Sequence, residues 1–257
     1  ELGGTRILIH AEQGAGDTLQ FARYVPMVAA RGGRVVLLVQ PELRRLFASL
    51  PGVEELVTGG PMIRAMVQCS LASLPHRFGT TLETIPASSS YLAADAALTA
   101  QWRERLKSFP GPKIGLVWAG NPEHRRDRDR SIAPGFLPPL LALPGFTFFS
   151  LQKFAPPPGL NVMSLAGALN DFADTAAVIA ALDLVITVDT SVAHLAGALG
   201  RPVWILLPAI PDWRWLLARE DSPWYPSARL FRQERHGAWK GVIERVAAVL
   251  SQHFPGR

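Results

Sequence analysis

The chain has 257 residues, 48% of them hydrophobic and 18% charged, enough for one large domain or two of ordinary size with a real core. Its 26 basic and 21 acidic residues leave a formal charge of +5. That excess is too small to argue for nucleic acid, and it suits either an anionic small molecule or a solvated basic surface. Cys69 is the only cysteine, which excludes an internal disulfide and a cysteine-based metal cluster and leads to the expectation of a reducing, cytoplasmic compartment.

Residues 1–4 run straight into a strand-like segment without the pattern of a secretory leader. The missing initiator methionine suggests either a chain cut from a longer protein or simple processing. Arg6–His10 reads as a short apolar strand, followed by a glycine-containing turn and a helix from about Asp17 to Ala30. Arg31-Gly32-Gly33 ends that helix, Val35–Val39 reads as the next strand, and Pro41 starts a helix that Pro51-Gly52 stops. Continuous apolar strands between helices predict a parallel sheet covered on both faces. Val53–Val57 and Val67–Leu74 read as further strands, residues 75–90 as loop, and Ala96–Ser108 as a helix.

Phe109-Pro110-Gly111-Pro112 then breaks the chain, and the expected lobes are 1–110 and 111–257. The second alternation begins at Lys113–Trp118, with strands near Phe146–Leu151, Leu184–Val188 and Val203–Leu207 and helices near Asp171–Leu182 and Ser191–Leu199. The apolar stretch Val178–Ile210 is broken by Asp183, Asp189, His194 and Arg201, so it reads as buried elements and not as a membrane span. The final helix, about Trp239–His253, can pack on either half and in a two-lobed design can cross back to the first. Two α/β halves joined by a short linker create a cleft, where ligands usually bind.

Asp189 sits at the carboxyl end of the strand Leu184–Val188, and Thr190 or Ser191 is placed to cap the helix that carries His194. Thr190 and His194 are four apart and share a helix face. N–H groups at that helix start suit a phosphate or a sugar hydroxyl. Taken singly, each of these residues also fits an ordinary helix start or an interior histidine.

The run from Asp189 through Thr190, Ser191 and His194 to Gly200-Arg201-Pro202-Val203 resembles the signature of glycosyltransferase family 9, the bacterial heptosyltransferases. It is most similar to the branch fused behind tetratricopeptide repeats. The resemblance is strongest from Lys113 to Trp215. It implies an α/β GT-B fold of two Rossmann-like lobes, with an acceptor side in the first and a nucleotide-sugar donor side in the second. It also implies inverting transfer without a metal or other cofactor.

Gln13-Gly14-Ala15-Gly16-Asp17-Thr18 follows the first strand, but Leu19 stands where a dinucleotide fingerprint needs its third glycine, and Gln40 closes the second strand where an acid is expected. Gly14 and Gly16 let backbone approach a ligand. Inverting transfer needs a carboxylate to accept the acceptor's proton. The heptosyltransferases place an aspartate in a matching Gly-Asp, which makes Asp17 the candidate base; it can equally cap the helix. His10 and Glu12 are reserves.

A leaving diphosphate needs cations and helix starts. The run His124–Ser131 is rich in arginine, and by the resemblance Arg130 falls where a phosphate-binding lysine is usual; the alternating charges also fit a solvated loop. Gln152-Lys153 ends another second-lobe strand and is placed for donor ribose or phosphate contacts. Trp213 and Trp215 can line the donor pocket or pack between lobes. The expected partners are a nucleotide sugar and an acceptor that is a glycan, a lipid-linked sugar or a protein, with no nucleic acid and no transmembrane segment. A non-catalytic sugar-nucleotide-binding domain of a longer repeat-containing chain and a sugar-nucleotide epimerase or hydrolase of the same fold are the alternatives.

Overall fold

The computed structural model describes residues 2–59 and 65–254. Strand β1 (Arg6–His10) leads through α1 (Ala15–Phe21), a 3-10 turn at Ala22–Tyr24 and α2 (Val25–Ala30) into β2 (Arg34–Leu38). The single helix expected over 17–30 is therefore three pieces. Pro26 has no N–H to continue an α ladder, and the helix restarts around it. A 3-10 turn and α3 (Arg44–Phe47) precede β3 (Val53–Val57), and β4 (Val67–Ser70) stops short of the expected Leu74 because residues 71–73 turn into α4 (Leu74–Arg77). The four strands form one parallel sheet in the order β3-β2-β1-β4, with Ile7 beside Val35 and Val67.

Helix α5 (Ala96–Leu106), capped by the Asp95 carboxylate on Leu98 N–H at 2.8 Å, precedes the second sheet. That sheet contains β5 (Lys113–Val117), β6 (Thr147–Ser150), β7 (Met163–Ser164), β8 (Leu184–Val188), β9 (Val203–Leu207) and β10 (Ala228–Arg232), in the parallel order β10-β9-β8-β5-β6-β7. Between β5 and β6 lie α6 (Asp127–Arg130) and α7 (Pro138–Leu141); α8 (Phe172–Ala181) precedes β8, α9 (Ser191–Ala198) follows it, and α10 (Trp239–His253) closes the described chain. Every residue of β8 and β9 is buried, as strands covered on both faces require. In the first sheet β1 alternates between buried and half-buried residues, so the expected two-sided cover is complete only on the face of Ile7 and Ile9.

One apolar core runs without a break from Ile7, Ile9 and Leu19 of the first sheet and α1 to Ala176 of α8 and Ala193 of α9. The other lies beneath the far face of the second sheet, where Val242, Ile243, Val246 and Leu250 of α10 pack against Leu140 and Ile186. The final helix thus stays on the second lobe. The helix that crosses is α5, placed by sequence with the first lobe but packed on α8, its Trp102 and Leu106 joining the shared core. A helix goes where its apolar stripe finds cover, which a linker's composition does not reveal. Among the described residues no helix is long and apolar enough to cross a membrane.

Candidate active site

The ends of β1 and β8 face each other across a cleft of about 770 Å³, with α1 on one wall and the start of α9 on the other. Their packing requires a close approach. A Cβ on Gly16 would stand 3.0 Å from His194 Cδ2 and 3.5 Å from Ser191 Cα, so Gly16 serves the helix crossing directly. Gly14 takes the N-cap position of α1, and Asp17 makes no cap bond but projects from the first turn.

The Asp17 carboxylate accepts from Arg214 Nη2 at 2.7 Å, across the lobes. Arg214 also lies 3.1 Å from Asp212 Oδ1 through Nε and 3.3 Å from His194 Nε2 through Nη1. Burial works against its charge, yet Asp212, Asp17 and Asp189 outweigh it and hold its pKa above the usual arginine value. A guanidinium only donates, so His194 Nε2 accepts and the imidazole proton sits on Nδ1, which donates to the Tyr225 hydroxyl at 2.9 Å. His194 is 2% exposed. Burial first, then Arg214, Arg23 and Arg130, push its pKa well below the usual histidine value, so the ring is neutral.

Thr190 is the N-cap of α9 by backbone geometry, but its hydroxyl pairs with Thr187 Oγ1 at 3.1 Å and leaves the helix start without a side-chain cap. Thr190, Ser191 and His194 all line the cleft, though Thr190 and His194 bond to different partners. Burial raises the Asp189 carboxyl above the ordinary carboxylate range; the Trp215 indole, Arg214 and Arg130 oppose the shift and Asp212 adds to it. Arg130 donates to the Asp189 carbonyl at 2.8 Å and to Asp127 at 3.1 Å. Lys153, exposed at the same cleft, makes no hydrogen bond among the described residues.

Gln152 fixes the backbone at the end of β5. Its Oε1 accepts from Trp118 and Ala119 N–H, each at 2.9 Å, and its Nε2 donates to Ala119 carbonyl at 3.1 Å. One N–H of its amide is left over from these bonds. Trp215 is wholly buried, stacked on His194 with ring centres 5.4 Å apart, whereas Trp213 is 60% exposed and meets Trp224 edge-on. The reserves His10 and Glu12 do not line the cleft, and Glu12 accepts from Ser70.

Sequence reading missed Arg23, and it missed the partner of Arg214, which stands between Trp213 and Trp215 but pairs with Asp17, 197 positions away. Arg23, buried in α1's continuation, donates to Trp224 carbonyl at 2.8 Å and lies 4.6 Å over Tyr91 and 4.8 Å over Tyr225. It ties the first lobe to the second behind the cleft.

Two parallel α/β lobes with a cleft at their strand ends define a GT-B fold. The model of "Glycosyltransferase family 9 (heptosyltransferase)" matches residues 155–216, the stretch that includes Asp189–His194 and Arg214. Protein FlbA of Caulobacter vibrioides is 32% identical over 97% of this chain, which spans 47% of FlbA. Among solved structures, a family 9 glycosyltransferase from Veillonella parvula aligns at TM-score 0.65 and 12% identity over 100% of this chain and 93% of its own. The E. coli ADP-heptose lps heptosyltransferase II aligns at 0.62 and 16% over 96% and 99%. At these identities the structural likenesses carry the fold.

Proposed function

We propose that the chain is a glycosyltransferase that moves a sugar from a nucleoside-diphosphate donor to an acceptor hydroxyl, with inversion and without a metal. One observation carries this reading: Asp17 of the first lobe meets Arg214, His194 and the uncapped start of α9 of the second in a single cleft. The match of residues 155–216 to the glycosyltransferase family supports it.

In the proposed step the acceptor O–H gives its proton to Asp17 as its oxygen bonds the anomeric carbon, and the bond from that carbon to the diphosphate oxygen breaks. Arg130, Lys153 and the N–H groups at the start of α9 take up the charge on the leaving diphosphate, while Asp189, Thr190 and Ser191 border the donor sugar and phosphates. Arg214 holds one carboxylate oxygen of Asp17 at 2.7 Å. A bound diphosphate offers Arg214 a stronger partner, which frees the carboxylate when the donor is in place. We place the domain in a longer, repeat-containing cytoplasmic chain on the likeness of its signature run.

The Asp17–Arg214 pair also favours a second reading, a binding module in which that ion pair is permanent. A panel of sugar nucleotides and acceptors separates the two. Asp17→Asn should lower transfer by about 10²–10⁴-fold while nucleoside-diphosphate affinity holds. Equal losses of both would remove Asp17 as the base.

A further inference from the structure

The turn that delivers Arg214 is tied at both ends. At its start Asp212 Oδ1 accepts from Arg214 N–H at 3.2 Å, opening a 3-10 turn over Trp213–Trp215. At its end Leu216 has φ 56° and ψ −167°, and it is the only non-glycine residue with positive φ among the described residues. Glycine alone reaches that region readily, and a side chain stays there only where its surroundings over-determine it. Leu216 N–H donates to the Trp213 carbonyl at 3.1 Å, and one side chain holds the carbonyls on either side of its φ and ψ. Arg232, the last residue of β10, donates from Nε to Arg219 carbonyl at 3.1 Å, from Nη1 to Leu216 carbonyl at 2.9 Å and from Nη2 to Trp215 carbonyl. Arg245 in turn donates to the Arg232 carbonyl. Arg232 has no carboxylate partner among the described residues, so its rigid fork of donors is spent on this turn.

The strained residue is where the chain reverses exposure. Trp215 before it is fully buried on His194, and Leu217 after it is 74% exposed. The φ angle of Leu216 sets the plane of the Trp215–Leu216 peptide, which adjoins Arg214.

We propose that Arg232 is a positioning residue for the cleft: it holds Leu216 in the glycine region and so fixes the turn that presents Arg214 to Asp17 and His194. Its consequence for catalysis rests on the transferase reading above, but the clamp itself does not. Two readouts on the full chain separate them. One is hydrogen exchange of the amides from Arg214 to Leu217. The other is affinity for ADP, GDP and UDP by titration calorimetry.

Arg232→Ala should speed exchange at these amides by about tenfold or more, the scale of released backbone strain, with β9 unchanged. Affinity for whichever diphosphate binds should fall by a similar factor. Arg232→Lys, a single flexible donor group, should resemble Arg232→Ala, and it decides the matter if the alanine variant does not fold. Arg229→Ala, an exposed neighbour on the same strand, should change neither readout. The decisive variant adds Leu216→Gly to Arg232→Ala, because glycine takes the conformation without a clamp, and it should recover both readouts to within about threefold. Unchanged exchange in Arg232→Ala, or a double variant that exchanges as fast as Arg232→Ala, overturns the proposal. If no diphosphate binds the unmodified chain, the transferase reading fails, and the exchange data still decide the clamp.

Discussion

The neutral state of His194 has a measurable consequence. In the folded chain Nδ1–H donates to Tyr225 and Nε2 accepts from Arg214 at 3.3 Å, so a second ring proton would confront a guanidinium N–H. In the unfolded chain the same imidazole protonates near its ordinary pKa of about 6.5. Below that pH the unfolded state binds a proton that the native state refuses, and stability falls as pH falls. The contribution is complete above about pH 7, and its loss continues downward until the native ring itself protonates. With the native ring still neutral, going from pH 7 to 5.5 should cost about 1.2 kcal/mol, set by one proton at 2.303RT per pH unit.

Asp189 acts in the opposite sense, because its raised pKa gives a contribution that is present at low pH and lost as pH rises through the folded value. It is common to both proteins in a comparison with His194→Gln, and it cancels. Urea unfolding of both at half-unit steps, with m-values checked for constancy, gives the difference profile. The unmodified chain should lose about 1.2 kcal/mol more than the variant over that range. A flat difference, or one that rises on acidification, would falsify the assignment of a neutral, doubly hydrogen-bonded His194.

Two further substitutions test the frame around the cleft. Gly197→Ala would drive a Cβ into the buried Tyr225 ring and should destabilise the chain by about 1–3 kcal/mol as overpacking does, read from the urea midpoint; a neutral result means that α9 sits farther from Tyr225. Gln152→Ala should leave the Trp118 and Ala119 N–H groups without their acceptor and cost about 1–3 kcal/mol. A large loss of diphosphate affinity with no loss of stability would instead return Gln152 to the donor site.

The order of strands and helices was legible because parallel strands announce themselves as short apolar runs, and β1, β2, β5, β8 and β9 all do. β10 was not. Two arginines, one of them exposed, interrupt Ala228–Arg232, which an edge strand tolerates and a periodicity reading discards. The run Asp189–His194 was legible for the same local reason, since a strand, a turn and a helix start are contiguous in sequence. Gln152 shows the limit of that logic. Its place at a strand end was read correctly, but which way its amide points depends on Trp118 and Ala119, more than thirty positions earlier.

Arg214 marks the deeper limit. An arginine in a loop is ordinarily a solvated charge, and its place between two tryptophans suggests a pocket lining without naming a partner. Its meaning comes from Asp17 at one end of the chain and His194 on another helix, brought together because Gly16 lets α1 lie against α9. The same contact decides how the cleft can work. Arg23 and the continuous core bind the lobes behind it, and Arg45 joins Asp171 and Asp174 beside it at 2.8 and 3.2 Å. On the transferase reading, Arg214 passes from Asp17 to the diphosphate by a side-chain exchange, and the proposed clamp at Arg232 sets the turn from which that exchange starts.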